Sequence, residues 1–290
     1  MPDCRGSRRI GRVGVGGFEF PALPRRRFAS TGVSRCLPRC PGRLGHRPGV
    51  RVTHLSVTMQ IDLNCDLGEG GQFDAELMSM ITTANVACGF HAGSPREGLV
   101  TVQLAARYGV CVGAHPSFPD RENFGRTEMD RSVLATLTDC VYQVGALVGL
   151  AKIFGMTVSH VKPHGALYNM ACREDAMAFP VVLAAGTFGL PLLGLPASSL
   201  ESVSRVQGVR FIAEGFADRR YRPDGSLVPR TDSGAFVESP KEAVTQAEWL
   251  IRERGVRSLC VHGDNPEAVG FVRALRQALK QRGFEIRAFA

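Results

Sequence analysis

The sequence predicts one α/β domain, a single seven-stranded β/α barrel, over residues 59–290, and three observations carry that prediction. Seven short apolar or β-branched runs recur along this stretch, most of them are followed by a longer segment of helical period, and polar residues gather where the runs end. A doubly wound open sheet would share the first two features. The third favours the barrel, because parallel barrels collect their chemistry at the carboxyl ends of the strands.

The first run, "QIDLNCDL" (60–67), alternates: Asp62, Asn64 and Asp66 share one face of an extended strand, and Ile61, Leu63 and Cys65 the other. An apolar outer face packs on helices, so the polar face must be the inner one. The second and third runs, "ANVACGFH" (84–91) and "VCVGAH" (110–115), flank "REGLVTVQLAARYG", whose Gly109 is a helix stop. Next comes "RSVLATLTDCVYQVGALVGLAKIFG", with Val133, Leu134, Leu137, Val141, Val144, Leu147 and Val148 at steps of one, three or four. The fourth run, "VSHVKPHG" (158–165), precedes the helical "REDAMAFPVVLAAG". That segment leads into the fifth, "LPLLGLP" (190–196), through an apolar window broken by Gly and Pro, which reads as a helix end and a strand, not a membrane span. "VRFIAEGFA" (209–217) and "SLCVHGD" (258–264) complete the set. The helical segments "SPKEAVTQAEWLIRERG" and "NPEAVGFVRALRQALKQRG" follow them and stop at Gly255 and Gly283.

Residues 1–58 differ in kind. They hold twelve Arg and no Lys against Asp3 and Glu19, a net charge of +10, so the formal +8 of the whole chain leaves −2 for the barrel. Nine Gly and six Pro in this leader predict a segment that cannot bury enough surface to fold. The same punctuation spoils the amphipathic helix of a targeting peptide, and the lack of Lys and of an aromatic platform argues against a nucleic-acid arm. The expectation is a disordered leader or sequence upstream of a native start at Met59, with no nucleic-acid or membrane partner. Six cysteines in the barrel form no CxxC pair and sit mostly in apolar runs, which points to reduced thiols and a cytoplasmic protein.

The strand ends supply the candidate chemistry. Asp62, Asn64 and Asp66 end the first strand with Glu69 just beyond; His91, His115, then Lys162 and His164 end the next three; Glu214, Asp218 and Arg219 end the sixth; His262 and Asp264 end the seventh. Buried carboxylates together are costly unless paired, protonated or metal-bound, so their presence points to function. Asp66, His91 and His115 offer the mixed O/N set a divalent metal accepts, although no HExxH or HxxxH spacing accompanies them. No GxxxxGK[ST] loop is present either, so any ATP binds by another site or on a partner.

The stretches "IDLNCDLGEG", "ITTANVACGFHAGSP", "GVCVGAHPSFPDRENFGR", "HVKPHGALYN", "EGFADRRYRPDGSLVPR" and "CVHGDNP" occur in this order and resemble the lactam-utilisation family, the A subunits of prokaryotic 5-oxoprolinase. The resemblance spans residues 59–290 and none of the leader. It implies a barrel of the glycoside hydrolase/deacetylase type, ATP-dependent opening of 5-oxoproline to glutamate, and partner subunits B and C; a homo-oligomer is compatible with it. Two departures stand out: the short "GQFDAEL" after "DLGEG", and Ser94 where "HAGDP" is common.

Lactam hydrolysis needs a base, an electrophile for the carbonyl oxygen and an acid for the leaving nitrogen. The expected catalytic set is Asp62, Asp66, Lys162, His164, His262 and Asp264, with Asp62 or Asp66 as base. Asn64, Glu69, Asn85, Arg219 and Arg230 are expected to bind substrate, the arginines gripping a carboxylate or phosphate. Two other classes share these residues: a metal-dependent deacetylase or amidohydrolase, and a non-catalytic partner subunit.

Overall fold

A computed structural model describes residues 59–237, 239–262 and 267–289. The expectations for the leader and for Asp264 lie outside the described residues.

Strand β1 (Met59–Leu67) opens the barrel, followed by α1 (Asp74–Met78), β2 (Thr83–Ala87), α2 (Pro95–Tyr108), β3 (Cys111–His115) and α3 (Val133–Ile153). Then come β4 (Val158–Val161), α4 (Gly165–Arg173), α5 (Asp175–Thr187), β5 (Leu192–Gly194), α6 (Ser199–Gln207) and β6 (Phe211–Phe216). The last elements are α7 (Pro240–Glu253), β7 (Ser258–Val261), α8 (Ala268–Gln281) and β8 (Phe284–Ile286). Strands β1 to β7 pair in sequence order, all parallel, and β7 returns to β1, Asp62 opposite Ser258 and Asn64 opposite Cys260. The sheet is therefore a closed seven-stranded barrel, and the open-sheet alternative falls away. Strand β8, an element beyond the seven expected, pairs with the first residues of β1, Met59 opposite Phe284, on the edge away from β7.

Period two decides what lies inside. Ile61, Leu63, Cys65 and Leu67 are fully buried in the apolar layer between barrel and helices, with Val102, Val144, Val181 and Leu275 among their neighbours in that core. Each such side chain contributes about 1.5–3 kcal/mol on burial. The other face of β1 fills the barrel interior with hydrogen-bonding groups, in three layers. Asp62, Thr83 and Ser258 form the lowest, Asn64, Asn85, His160 and Glu214 the middle, and Asp66, His115 and Lys162 the top. Gly113 makes room for the middle layer, since a Cβ there would lie 2.0 Å from the His160 ring.

Helix α2 shows local rules at work: Ser94 accepts from the Glu97 amide as N-cap, Pro95 is the first helical residue, and Gly109 ends the helix in the left-handed region. Ser94 is thus a cap, a role Asp fills equally, and its departure from "HAGDP" leaves the helix start intact. Helix α3 is long and apolar enough to cross a membrane, yet Cys140, Val144, Leu147 and Ala151 bury one side of it in the barrel's helical layer.

Candidate active site

Lys162 directly follows β4 and stands in the top layer, 2% exposed. Its ammonium donates to Asp66 Oδ1 at 2.9 Å, Asn64 Oδ1 at 3.2 Å and Cys260 Sγ at 3.1 Å, and lies 2.9 Å from Glu214 Oε1. Burial works against its charge, but Asp66, Cys260 and Glu214 outweigh it and hold the amine well above its ordinary value. Burial likewise works against the Asp66 anion, and the charges of His115 and Lys162 overcome it, keeping the carboxyl well below the usual range. Glu214 is fully buried and also accepts from Tyr168 Oη at 3.0 Å and Asn64 Nδ2 at 3.0 Å. One fixed cation therefore sits at the floor of the mouth, with Asp66 beside it and Glu214 beneath it.

Beside them three imidazoles and Glu69 form a second group. His115 Nδ1 donates to the Lys162 carbonyl at 2.7 Å, and His164 Nε2 donates to the Phe124 carbonyl at 2.9 Å. His115 Nε2 and His164 Nδ1 consequently face each other, 2.9 Å apart. His91 Nε2 lies 2.9 Å from Glu69 Oε1, and its ring stacks on that of His164 with centroids 3.8 Å apart. Local backbone fixes this arrangement. Phe124 takes φ 56° and Gly125 φ 66°, and a Cβ on Gly125 would come within 2.9 Å of His164 and 2.8 Å of His91. A non-glycine residue in the left-handed region costs on the order of 1 kcal/mol, held here where it presents a carbonyl to His164.

On the opposite wall Asp218 Oδ2 accepts from both the backbone amide and Nδ1 of His262, at 3.1 and 2.7 Å. The Asp218 carboxyl, buried but facing His262 and Arg230, stays below the ordinary range. This fixes His262 with Nδ1 as donor and leaves Nε2 toward Asp66 Oδ2, 4.0 Å away. In the loop after β6, Arg219 and Arg230 both rest on the Phe236 ring, at 5.2 and 5.4 Å. Burial, and then the neighbouring Arg230 charge, lowers the Arg219 guanidinium to about 10.

A cavity of about 1120 Å³ joins these walls. Of the residues expected from sequence, Asp66, Glu69, His115, Lys162, His164, Arg219, Arg230 and His262 line it. The expectation that Asp62 is a base at the mouth is corrected: Asp62 lies two layers down, fully buried, accepting from Thr82, Thr83 and Ser258. Asn64 and Asn85 are likewise not at the cavity surface. They hold Lys162 and Asp66 from the layer below, where Asn85 Nδ2 donates to both Asn64 Oδ1 and Asp66 Oδ1 at 2.7 Å. Of the residues expected to hold a metal, His91 and His115 cluster with Glu69 and His164, while Asp66 pairs with Lys162, lies 3.4 Å from His115 and stands near Cys260 and His262. Glu214 and Asp218 were visible as strand-end acids without an assigned role, and Tyr168 gave no signal because its partner is brought by a strand 46 residues on.

A closed parallel barrel with a polar interior and a lysine, carboxylates and imidazoles converging on one open end defines a β/α-barrel protein equipped for acid–base and electrostatic chemistry. The chain belongs to the LamB/YcsF family, which matches it over residues 61–290. It is 44% identical over 250 residues to the 5-oxoprolinase A subunit of Thermus thermophilus, covering 80% of this chain and all of the relative. It is 46% identical over 248 residues to the corresponding 5-oxoprolinase polypeptide of Geobacillus kaustophilus, covering 79% of this chain and 96% of the relative. Among solved structures, the lactam utilization protein of Thermus thermophilus superposes with TM-score 0.73 at 41% identity, covering 80% of this chain and all of that one.

Proposed function

We propose that this chain is the A subunit of an ATP-dependent 5-oxoprolinase, which with partner subunits B and C hydrolyses the lactam of 5-oxo-L-proline to L-glutamate. The relatives' shared name supports the substrate, and one observation supports the chemistry: Lys162, held charged between Asp66 and Glu214, shares the cavity floor with the Asp218–His262 pair. Water adds to the ring carbonyl and the ring nitrogen leaves as an amine, so one group must take a proton and another must give one. His262 Nε2, whose tautomer Asp218 fixes, takes the proton from water, and Asp66 orients that water. The Lys162 ammonium stabilises the negative charge on the phosphorylated carbonyl oxygen, where a fixed charge in a water-poor site acts most strongly. His262 then returns that proton to the leaving nitrogen, since the one N–H of His164 is spent on the Phe124 carbonyl. Arg219 and Arg230 bind the substrate's carboxylate or a phosphate. ATP phosphorylates the lactam oxygen with release of ADP; addition of the first water and C–N cleavage then give an acyl phosphate, which a second water hydrolyses to glutamate and inorganic phosphate.

The test is reconstitution of the full chain with its two partner subunits, scored for glutamate and ADP. Lys162→Met and His262→Asn are each expected to lower glutamate formation by at least about a hundredfold. Undiminished turnover in both variants would remove the chemistry from this barrel and leave it a non-catalytic member of the complex.

A further inference from the structure

We propose that Glu69, His91, His115 and His164 form a binding site for one divalent first-row transition ion of the zinc class. The first support is the direction of the lone pairs. His115 spends Nδ1–H on the Lys162 carbonyl and His164 spends Nε2–H on the Phe124 carbonyl, so the second nitrogen of each ring points toward the other ring and toward Glu69, with His115 Nε2 also 3.4 Å from Asp66 Oδ2. Two nitrogen lone pairs facing at 2.9 Å need a cation between them, either a proton or a metal. Backbone carbonyls that fix the outer nitrogen of each ring are the usual supports of metal-ligating histidines.

The second support is spacing. A tetrahedral ion with bonds of about 2.0–2.1 Å places its donors about 3.3 Å apart. The separations here bracket that value: 2.9 Å from His91 Nε2 to Glu69 Oε1, 2.9 Å between His115 and His164, and 3.5 and 3.8 Å from Glu69 to His164 and His115. His91 adds a buried ring whose Nε2 is turned to Glu69. Three imidazoles and one carboxylate suit zinc, or cobalt as its spectroscopic substitute, better than the all-oxygen shells of magnesium or calcium. Because His91 and His164 stack within 7° of parallel, ligation by both would tilt one ring.

The proposal does not depend on the lactam reading, since its test reads binding. The untagged full chain, stripped with chelator and checked for folding by circular dichroism, is titrated with zinc and the bound metal counted. The leader carries Cys4, Cys36, Cys40, His46 and His54, so the informative quantity is the ion lost on substitution. Glu69→Gln and His164→Gln are expected to bind one ion fewer than wild type, or to bind it at least a hundredfold more weakly, with Asp66→Asn within about threefold of wild type. A measurement on wild type alone guards against misfolded variants: zinc should shift the histidine side-chain ¹⁵N resonances of His115 Nε2 and His164 Nδ1. Equal binding by wild type and both ligand variants, or unmoved resonances, would leave a shared proton as the whole account. Loss in Asp66→Asn as large as in His164→Gln would move the ion off this site.

Discussion

At the scale of the residue, depth inside the barrel separates groups that the sequence shows side by side. Asp62 and Asp66 point to the same face of β1, yet Asp66 meets Lys162 at the cavity while Asp62 is enclosed. Burial pushes the Asp62 carboxyl up from 3.8 to about 6, against the lowering effect of Ser258, Thr82 and Thr83. Between those two values the unfolded chain has released the proton that the folded chain keeps. The Asp62 contribution to stability is therefore full below about pH 4 and falls by roughly 3 kcal/mol as pH rises through 6. Urea unfolding of Asp62→Asn beside wild type should show the variant gaining by about that amount between pH 4 and pH 7, with glutamate formation retained within about fivefold. Lys162→Met is the opposite case. It leaves Asp66 and Glu214 buried without their cation, and a loss of about 3–5 kcal/mol in the same unfolding measurement is expected at pH 7. Period two made the inward face of β1 legible, but the layer each residue occupies follows from the stagger of neighbouring strands. That stagger is a property of pairs, which no single strand records.

At the scale of the element, strands and long helices were legible and short helices were not. The seven apolar runs each contain a strand, and α2, α3, α5, α7 and α8 fall on the segments of helical period. Helices α1, α4 and α6 escaped, at five, nine and nine residues, because so few turns carry little periodic signal. The omission of α4 matters most, since His164 is its N-cap residue and Tyr168 lies on its first turns. The Phe124–Gly125 turn sits against that helix start: a Cβ on Gly165 would lie 2.4 Å from the Gly125 carbonyl oxygen, and Ala166 donates its amide to the same oxygen at 2.8 Å. Gly125→Ala should therefore cost about 2 kcal/mol in stability and displace His164 and His91 together. A thermal melt paired with the zinc titration would check both halves, the second expected to show weaker binding in step with the first.

At the scale of the whole molecule, the barrel was legible because chemistry-bearing residues recur at equivalent strand ends, a pattern an open sheet does not impose on every strand. What could not be read was how the interior is filled. Barrels of this topology are commonly packed with branched apolar side chains, whereas this one holds hydrogen-bonded layers of Asp, Asn, Thr, Ser, His and Glu. Each member is satisfied only by others from distant strands: Asn64 bonds Asn85, Lys162, Glu214 and Ser258, contributed by four different strands or strand ends. Such a network loses most of its value when any one strand is absent.

The pairing of β1 with β7 carries a consequence for how the protein comes into being. Asn64 meets Cys260 across a sequence separation of nearly the whole barrel, so the last wall of the cavity is made late in synthesis. Until the ribosome has released β7, the nascent chain exposes two open sheet edges, a state that invites aggregation and slow folding. The wall that carries His262 is thus the last to be laid down, after the side that holds Glu69, His91, His115 and His164.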